Sequence, residues 1–206
     1  MIFLTEPQIH ITSALVNEYI DRFNNDENVS SADRAINNLV KEFPENKKLE
    51  DILLKFSAIN TLYNTNIFDK FKMAKRILEL EIDEKLQQGY PNIVAKISTG
   101  HRICSAKTGK EKILYSFATK YCSFHNNNDY PIYDNLVEKL LIACRDKGKF
   151  SEFANIDLKD YMRFKEIIDE FKKVYKLTAY NSKEFDKFLW MYGKEIFSNN
   201  NSSDKE

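Results

Sequence analysis

Helical periodicity is the feature that most restricts how this chain can fold. Apolar residues recur at spacings of three and four through most of the sequence, which places one side of each helix in a core. Only five glycines and four prolines occur among the 206 residues, too few for the turns of an all-β fold. A hydrophobic content of 43% argues against disorder. We therefore predict an all-α protein in which residues 1–197 form one compact domain, open to division into two lobes, and residues 198–206 form a disordered tail.

The predicted helices follow these apolar repeats and stop at asparagine, proline and glycine. Their expected bounds are Pro7 to about Phe23, Ser30 or Ser31 to Phe43, Lys48 to Tyr63, Ile67 to Leu80, Pro91 to about Ser98, Thr108 to about His125, Asp134 to Gly148, Leu158 to Leu177 and Ser182 to Phe197. Residues 99–107 are expected to form a loop, or a short extended piece through Arg102–Cys104.

The stretch from residue 108 to residue 141 organises the rest of the chain. Thr108 and Glu111 have the spacing of a capping box, in which each side chain bonds the other's free backbone N–H, so we expect a helix to begin there. Asn126–Asn128 favour a turn after that helix. Asp134 stands where the next apolar repeat starts, and a carboxylate at the positive end of a helix stays ionised. We therefore place a candidate functional carboxylate at Asp134.

Cysteine spacing and hydropathy exclude several classes of protein. The three cysteines, Cys104, Cys122 and Cys144, are far apart and lack a C-x-x-C pair, so we expect no zinc site, iron–sulfur centre or disulfide framework. We expect no metal and no other cofactor. The N-terminus lacks the basic region and apolar run of a signal peptide, and no window approaches the roughly 18 apolar residues of a membrane span. We therefore expect a cytoplasmic protein with no membrane partner.

The charge is balanced overall but unevenly distributed, because Lys and Arg equal Asp and Glu at 31 each. The basic residues between positions 96 and 125 are Lys96, Arg102, Lys107, Lys110, Lys112 and Lys120. Glu111 is the only acid in that segment. A basic segment on an otherwise acidic chain can face phosphates, although a charge cluster is more commonly a solvated helix face.

Two separated pieces of the chain have a recognisable pattern. The first is LKFSAINTLYNTNI at residues 54–67, a helix that ends in an Asn-rich turn. The second joins SFATK at residues 116–120 to PIYD at residues 131–134, a helix and a loop that lead to Asp134. Together they resemble the helix-hairpin-helix DNA glycosylase superfamily, closest to its 8-oxoguanine DNA glycosylase branch. The resemblance covers about residues 49–141 and implies a glycosylase-like core in two helical lobes with a central cleft.

The resemblance implies an enzyme that flips a damaged or modified base out of double-stranded DNA and excises it by hydrolysing the N-glycosidic bond. Asp134 would stabilise the positive charge that develops on the sugar. Asn64, or as an alternative Asn66, would occupy the gap left in the duplex. The enzyme would act as a monomer in DNA repair, or in defence against phage with modified DNA.

The segment that would form the family's hairpin, Ala106–Lys110, has one glycine and no proline, so the predicted helix-hairpin-helix is degenerate. Phosphate contact then falls to other residues. The candidates are Lys107, Lys110, Lys112, Ser116 and Lys120. If Ala118 anchors the register, the Schiff-base lysine of bifunctional members is replaced by Ser116, which implies a monofunctional enzyme. If Gly109 is the anchor, Lys110 or Lys112 takes that catalytic role.

Three residues near the loop are candidates to line a base pocket: Tyr130, Tyr133 and His125. Each also has an ordinary structural alternative, since such tyrosines usually belong to the core and a histidine often closes a helix. For the same reason we expect Trp190 to be structural. Two other functions fit the sequence: a glycosylase-like protein that binds DNA without cutting it, and a helical protein-interaction module that binds no nucleic acid.

Overall fold

Ten α-helices make up most of the regular structure in the residues described by this computed structural model, 10–148 and 150–199. They are α1 (Ser13–Asn25), α2 (Glu27–Glu42), α3 (Leu49–Leu62), α4 (Lys70–Glu79), α5 (Asp83–Gln87), α6 (Asn92–Ser98), α7 (Tyr115–His125), α8 (Asn135–Gly148), α9 (Tyr161–Val174) and α10 (Ser182–Asn199). A short 3-10 helix, Asn155–Lys159, precedes α9, and one antiparallel bridge joins Cys104 to Glu111. The all-α prediction is confirmed for the described part of the chain.

Side-chain caps set where the first helices begin. Thr12 caps α1 and Asp26 caps α2, each by accepting a backbone N–H of the following turn, at 3.2 Å and 3.0 Å. The predicted start at Pro7 lies outside the described residues. The predicted start at Ser30 or Ser31 is wrong, because Asp26 starts α2 a turn earlier.

Further differences from the predicted bounds have local causes. Asp69 accepts the Lys72 N–H at 3.1 Å, so α4 begins after Asp69 and not at the predicted Ile67. The five-residue helix α5 was not predicted, because so short a segment shows no apolar period. α10 runs to Asn199, which is inside the predicted tail, and residues 200–206 lie outside the described residues.

α7 is the most continuously buried helix and packs against four other helices. Residues Phe117–Phe124 are buried without a break, and α2, α3, α5 and α6 all contact α7. The Phe117 ring lies 4.9 Å from the ring of Phe56 on α3. α10 in turn packs against α1 and α8. One continuous apolar core therefore includes residues from α1 through α10.

Residues 99–114 form an extended hairpin between α6 and α7. Backbone hydrogen bonds of 2.8 Å join its two arms, from the Ser105 N–H to the Lys110 carbonyl and from the Lys112 N–H to the Ile103 carbonyl. Gly109 turns the chain near the tip with a φ of 64°, which glycine adopts without strain. The short extended piece expected through Arg102–Cys104 is therefore found only in part, because Cys104 forms a bridge but Arg102 has a left-handed backbone with a φ of 59°.

The predicted capping box at Thr108 is wrong, because Glu111 is used elsewhere. The Glu111 carboxylate accepts the Arg102 N–H at 2.6 Å, across the hairpin. α7 consequently begins at Tyr115. Ala106–Lys110, where a degenerate helix-hairpin-helix was expected, is instead the tip of the extended hairpin.

Lys55 fastens the loop between α2 and α3 to the core. Its side chain is fully buried, and Nζ donates to the carbonyls of Phe43 and Glu45 and to Asn46 Oδ1, each at 2.8 Å. Burial lowers the pKa of Lys55 to about 8, against the opposite effect of Asp83. Three acceptors therefore offset the cost of burying this ammonium.

The described residues contain no disulfide bond and no helix suited to crossing a membrane. All three thiols are free, with Cys104 exposed and Cys122 and Cys144 buried. In the part of the chain that the structure describes, each helix is too short or too polar to cross a membrane.

Candidate functional site

A cavity of about 440 Å³ lies between α1, α2, α3, α7, α8 and α10. This volume is in the range of ligand pockets. Its polar lining comes from Asn28, Asn64, Ser116, Lys120, Asp134, Asn135 and Asp186. Its apolar lining comes from Phe23, Val29, Ala32, Leu62, Tyr63, Ile132, Leu136 and Trp190. Four of the residues predicted for the site, Asn64, Ser116, Lys120 and Asp134, therefore share one cavity.

Asp134 is the N-cap of α8, as predicted. Its Oδ1 accepts the backbone N–H groups of Leu136 and Val137, both at 2.9 Å. These two bonds fix the carboxylate at the positive end of the helix. Oδ2 receives no hydrogen bond from any described residue, so this oxygen remains available to a ligand in the cavity.

Lys120 brings an amine to the same cavity from α7. The residue is 5% exposed, and Nζ donates to Ser116 Oγ at 2.6 Å. Burial lowers the pKa of Lys120, the nearby charges of Asp134 and Asp186 oppose that shift, and Lys183 adds to it. Such an amine loses its proton more readily than an exposed lysine, which is the condition for acting as a nucleophile.

Asn64 reaches the cavity from a tight turn after α3. Asn64 and Asn66 both have left-handed backbone, with φ of 50° and 54°, which asparagine tolerates better than most residues. Asn60 holds the turn: its Oδ1 accepts the Ile67 N–H at 2.9 Å and its Nδ2 donates to the Ile67 carbonyl at 3.0 Å. Asn66 does not line the cavity, since its Nδ2 donates to the Asn64 carbonyl at 2.9 Å. Of the two alternatives, Asn64 is the one that the structure brings to the cavity.

Asp186 on α10 is a cavity residue that the sequence did not single out. It is 8% exposed and lines the cavity with Asp134. Burial raises the pKa of Asp186 to about 7, against the opposite effect of Lys183, and the charge of Asp134 adds to the rise. The sequence signal that could have identified Asp186 is its place as an acid within the apolar stripe of α10, three residues before the buried Leu189. No three His, Cys, Asp or Glu side chains among the described residues are arranged to hold a metal ion.

Lys183 and Asp33 form a buried ion pair next to the cavity, with Nζ 2.6 Å from Oδ1. The same Oδ1 accepts the Tyr63 hydroxyl at 3.0 Å. The Lys183 ammonium also lies 4.0 Å from the centre of the Phe124 ring. Because Tyr63 lines the cavity, this pair supports one of its walls.

Phe23, Tyr63 and Trp190 give the cavity aromatic walls. The Phe23 and Trp190 rings meet edge to face, with centroids 6.1 Å apart. Trp190 thus packs against Phe23, as expected for a structural residue, and it also lines the cavity. Aromatic faces of this kind stack on nucleobases.

Lys107, Lys110 and Lys112 do not line the cavity. They lie on the hairpin 99–114, where Lys107 and Lys110 are exposed and Lys112 is half-buried. The geometry therefore gives no support to Lys110 or Lys112 as a partner of Asp134. The exposure of Lys107 and Lys110 is compatible with the predicted contact to phosphates.

Tyr130 and Tyr133 belong to the core and do not line the cavity, which corrects the predicted base pocket. The Tyr130 hydroxyl donates to the Tyr90 carbonyl at 3.0 Å, and the Tyr133 ring meets Phe164 edge to face at 5.6 Å. Ile132 contributes to the cavity instead, because neighbouring residues on an extended chain point to opposite sides.

His125 does not line the cavity either, and its ring packs against the Tyr121 ring at a tilt of 36°, with centroids 5.0 Å apart. Burial lowers the pKa of His125 to about 3, and Lys55 has a smaller effect in the same direction. The ring is therefore neutral near pH 7 and offers no positive charge to a phosphate. His125 is the last residue of α7, the position that its structural alternative required.

Comparison with known proteins places the chain in a family. The family model HI_0787_N, an N-terminal domain, matches residues 15–129, and the chain belongs to that family. A protein of Haemophilus influenzae (strain ATCC 51907 / DSM 11121 / KW20 / Rd), described as an uncharacterized protein, is 41% identical over 150 residues, which are 72% of this chain and 69% of the relative. No solved structure matches the chain. The family segment contributes Asn64, Ser116 and Lys120 to the cavity, whereas Asp134 and Asp186 lie beyond it.

Proposed function

We propose that this protein is a DNA glycosylase whose cavity accepts a damaged or modified base flipped out of the duplex. One observation carries the proposal: Asn64, Lys120 and Asp134 come from separate parts of the chain and line one cavity with aromatic walls. Base-cutting enzymes need such a pocket, because the bond they break is inaccessible in stacked DNA. In this proposal the cavity is the cleft between two helical lobes, one around α3 and α7 and the other formed by α1, α8 and α10, which pack together.

Asp134 stabilises the charge that develops during cleavage. Breaking an N-glycosidic bond places positive charge on C1′ and the ring oxygen of the sugar. A carboxylate held rigidly by a helix cap needs no reorganisation to stabilise that charge. In this proposal Oδ2 interacts with the charged sugar, because Oδ1 already accepts two N–H bonds.

Lys120 supplies the nucleophile, in the role that the sequence gave to Lys110 or Lys112. Its neutral amine forms a bond to C1′ while the C1′–N bond breaks and the electron pair leaves with the base. The amine proton passes to Asp134. The C1′–O4′ bond then breaks, O4′ takes a proton, and a Schiff base joins Lys120 to C1′. The proposed enzyme is therefore bifunctional, in place of the monofunctional one implied by an Ala118 register.

In this proposal the DNA binds to the surface beside the Asn64 turn. Phe68 follows this turn with 87% of its surface exposed, and Phe71 is 61% exposed. Exposed aromatic side chains beside lysines can wedge between base pairs and bend a duplex toward the protein. Lys70 and Lys75 are exposed on the adjacent helix α4 and can contact phosphates.

Arg76 connects this surface to the hairpin 99–114. Its Nε donates to the Thr99 carbonyl at 3.1 Å and its Nη2 to the Lys96 carbonyl at 3.2 Å, so α4 lies against the end of α6 where the hairpin begins. The exposed lysines of α4, Lys70 and Lys75, and those of the hairpin, Lys107 and Lys110, are thus on neighbouring elements. We propose that these lysines contact the phosphates of the DNA backbone.

The test is base release and covalent trapping on defined DNA. The full-length protein is incubated with duplexes that each carry one 8-oxoguanine, hypoxanthine, uracil, 7-methylguanine or glucosylated 5-hydroxymethylcytosine, with and without borohydride. We expect release of at least one of these bases and borohydride trapping of the protein on the same duplex. Lys120→Met should abolish trapping, whereas the matched variant Lys112→Met should trap as well as the unaltered protein.

Two outcomes would contradict the proposal. Salt-dependent DNA binding without base release would support the non-cutting DNA-binding protein. Neither release nor DNA binding would support the protein-interaction module.

A further inference from the structure

The cavity contains an acid that the chemistry proposed above does not use, Asp186. We infer that Asp186 is the general acid that protonates the departing base, so that the substrate class extends to uncharged bases, which cannot leave easily without a proton, and is not restricted to cationic, alkylated ones. The inference deepens the proposed glycosylase and rests on it.

An uncharged base needs a proton in order to leave easily. The base takes the electron pair of the C1′–N bond and would otherwise depart as an anion, which is a poor leaving group. In the inferred step the Asp186 carboxyl gives its proton to a ring nitrogen of the base as the C1′–N bond breaks and the Lys120 nitrogen bonds to C1′. The base leaves neutral, and Asp186 remains as a carboxylate that regains a proton from solvent.

The surroundings of Asp186 favour a carboxyl group that still holds its proton. The residue is 8% exposed, and the cations nearest to it are held by other groups. Lys183, one turn earlier on α10, is 2.6 Å from Asp33, and the Lys120 amino group donates to Ser116 at 2.6 Å. Among the described residues, no Lys or Arg is within ion-pair distance of Asp186. A buried carboxyl without a contacting cation keeps its proton to higher pH.

The charged groups around Asp186 shift its pKa in both directions. Lys183 and Lys120 favour the ionised form, whereas Asp134 and Asp33 oppose it, and the buried Tyr63 hydroxyl faces the same cluster. Burial is the largest effect and raises the pKa of Asp186 to about 7. A general acid works best when its pKa is near the working pH.

The two carboxyl groups of the cavity therefore have separate roles. Asp134 accepts two backbone N–H bonds and presents a fixed acceptor oxygen to the sugar. Asp186 receives no such bond from the described residues and presents a proton to the base. Glycoside-cleaving sites use this division, with one carboxyl as acid and another as charge stabiliser.

Single-turnover base release by the full-length protein from two kinds of duplex tests the inference. One kind carries an uncharged base, taken as 8-oxoguanine, hypoxanthine or uracil, and the other carries 7-methylguanine, which is already cationic and leaves without a proton. We expect Asp186→Asn to slow release of the uncharged base by about 10²–10⁴-fold and to change release of 7-methylguanine by less than about threefold. Asp21→Asn, a carboxylate exposed on α1, is the matched control and should leave both rates unchanged.

The pH dependence of the unaltered protein gives a second measurement that needs no variant. Release of the uncharged base should decline as the pH rises above about 7, and release of 7-methylguanine should lack that decline. Equal losses on both substrates in Asp186→Asn, or the same pH profile for both, would overturn the inference. If the unaltered protein released neither kind of base, the proposed function would fail first and the inference with it.

Discussion

Lys183 and Asp33 form an ion pair inside the protein, with side chains only 8% and 7% exposed. The pair joins α10 to α2 beside the cavity. The pair also holds the Lys183 ammonium, one turn before Asp186, against Asp33. Among the described residues, Asp186 is therefore buried without a contacting cation. The properties of the cavity thus depend on a contact between residues 150 positions apart in the sequence.

Removing one partner of this pair should destabilise the protein strongly. Asp33→Asn leaves the Lys183 ammonium buried without a carboxylate, so we expect a loss of about 3–5 kcal/mol in the free energy of unfolding, measured by urea denaturation. Glu18→Gln is the matched control, because its ion pair with Arg22 is 50% and 46% exposed and should contribute at most about 1 kcal/mol. A small loss in both variants would show that the buried pair does not support the fold.

Lys55 should be needed for folding rather than for activity. Lys55→Met keeps the apolar stem but leaves the Phe43 and Glu45 carbonyls without this donor and Asn46 Oδ1 with only the Tyr121 hydroxyl, so we expect a loss of about 3 kcal/mol. Thermal and urea unfolding measure the change. Lys47→Met, at a position 68% exposed, should be close to neutral, and equal stability of the two variants would contradict the role given to Lys55.

Asp186 should make stability depend on pH in a defined direction. Its pKa is about 7 in the folded protein and about 3.9 in an unfolded chain, so between these values the native state holds more protons. The free energy of unfolding contributed by this group therefore falls as the pH rises from about 4 to about 7 and is constant above that. Asp186→Asn should remove this loss and be more stable than the unaltered protein by a few kcal/mol at pH 8.

The measurement is a set of urea denaturation curves for both proteins between pH 4 and pH 8. The stability difference should grow with pH over that range. A difference that is constant, or that shrinks as the pH rises, would show that Asp186 is not a buried acid of raised pKa.

Asn64 should matter for duplex substrates in particular. Asn64→Gly keeps the turn, because glycine adopts the φ of 50° without strain, but removes the side chain that would fill the gap in the duplex. We expect base release from duplex DNA to fall at least about tenfold, with little change on single-stranded DNA, where no gap forms. Asn66→Gly, at a φ of 54°, is the comparison, and a larger loss there would transfer the role to Asn66.

The sequence predicted those features that depend on local patterns. The preceding loop and the following apolar repeat predict that Asp134 stands at a helix start, and the cap is present. The same kind of local pattern was misleading at Thr108 and Glu111, because a Thr-x-x-Glu spacing also fits a turn. There the tertiary bond from the Arg102 N–H to Glu111 decided the structure.

Features that depend on long-range packing were not predictable from one sequence. The sequence around Lys120 indicates phosphate contact, since nothing in it shows that this part of α7 faces Asp134 across a cavity. Asp186 lies within the apolar stripe of α10, but nothing in the sequence shows that this position faces Asp134 and Lys120. Conversely, Tyr133 is next to Asp134 in sequence, but an extended chain turns adjacent side chains to opposite sides.

Base release by Asp134→Asn is the measurement that tests the central claim most directly. The amide oxygen of asparagine can still cap α8, so the thermal unfolding midpoint should remain within a few degrees of the unaltered protein. Removal of the charge should nevertheless slow single-turnover release of the modified base by at least about 100-fold. A folded Asp134→Asn variant that releases the base at the unaltered rate would contradict the claim that this carboxylate performs the chemistry.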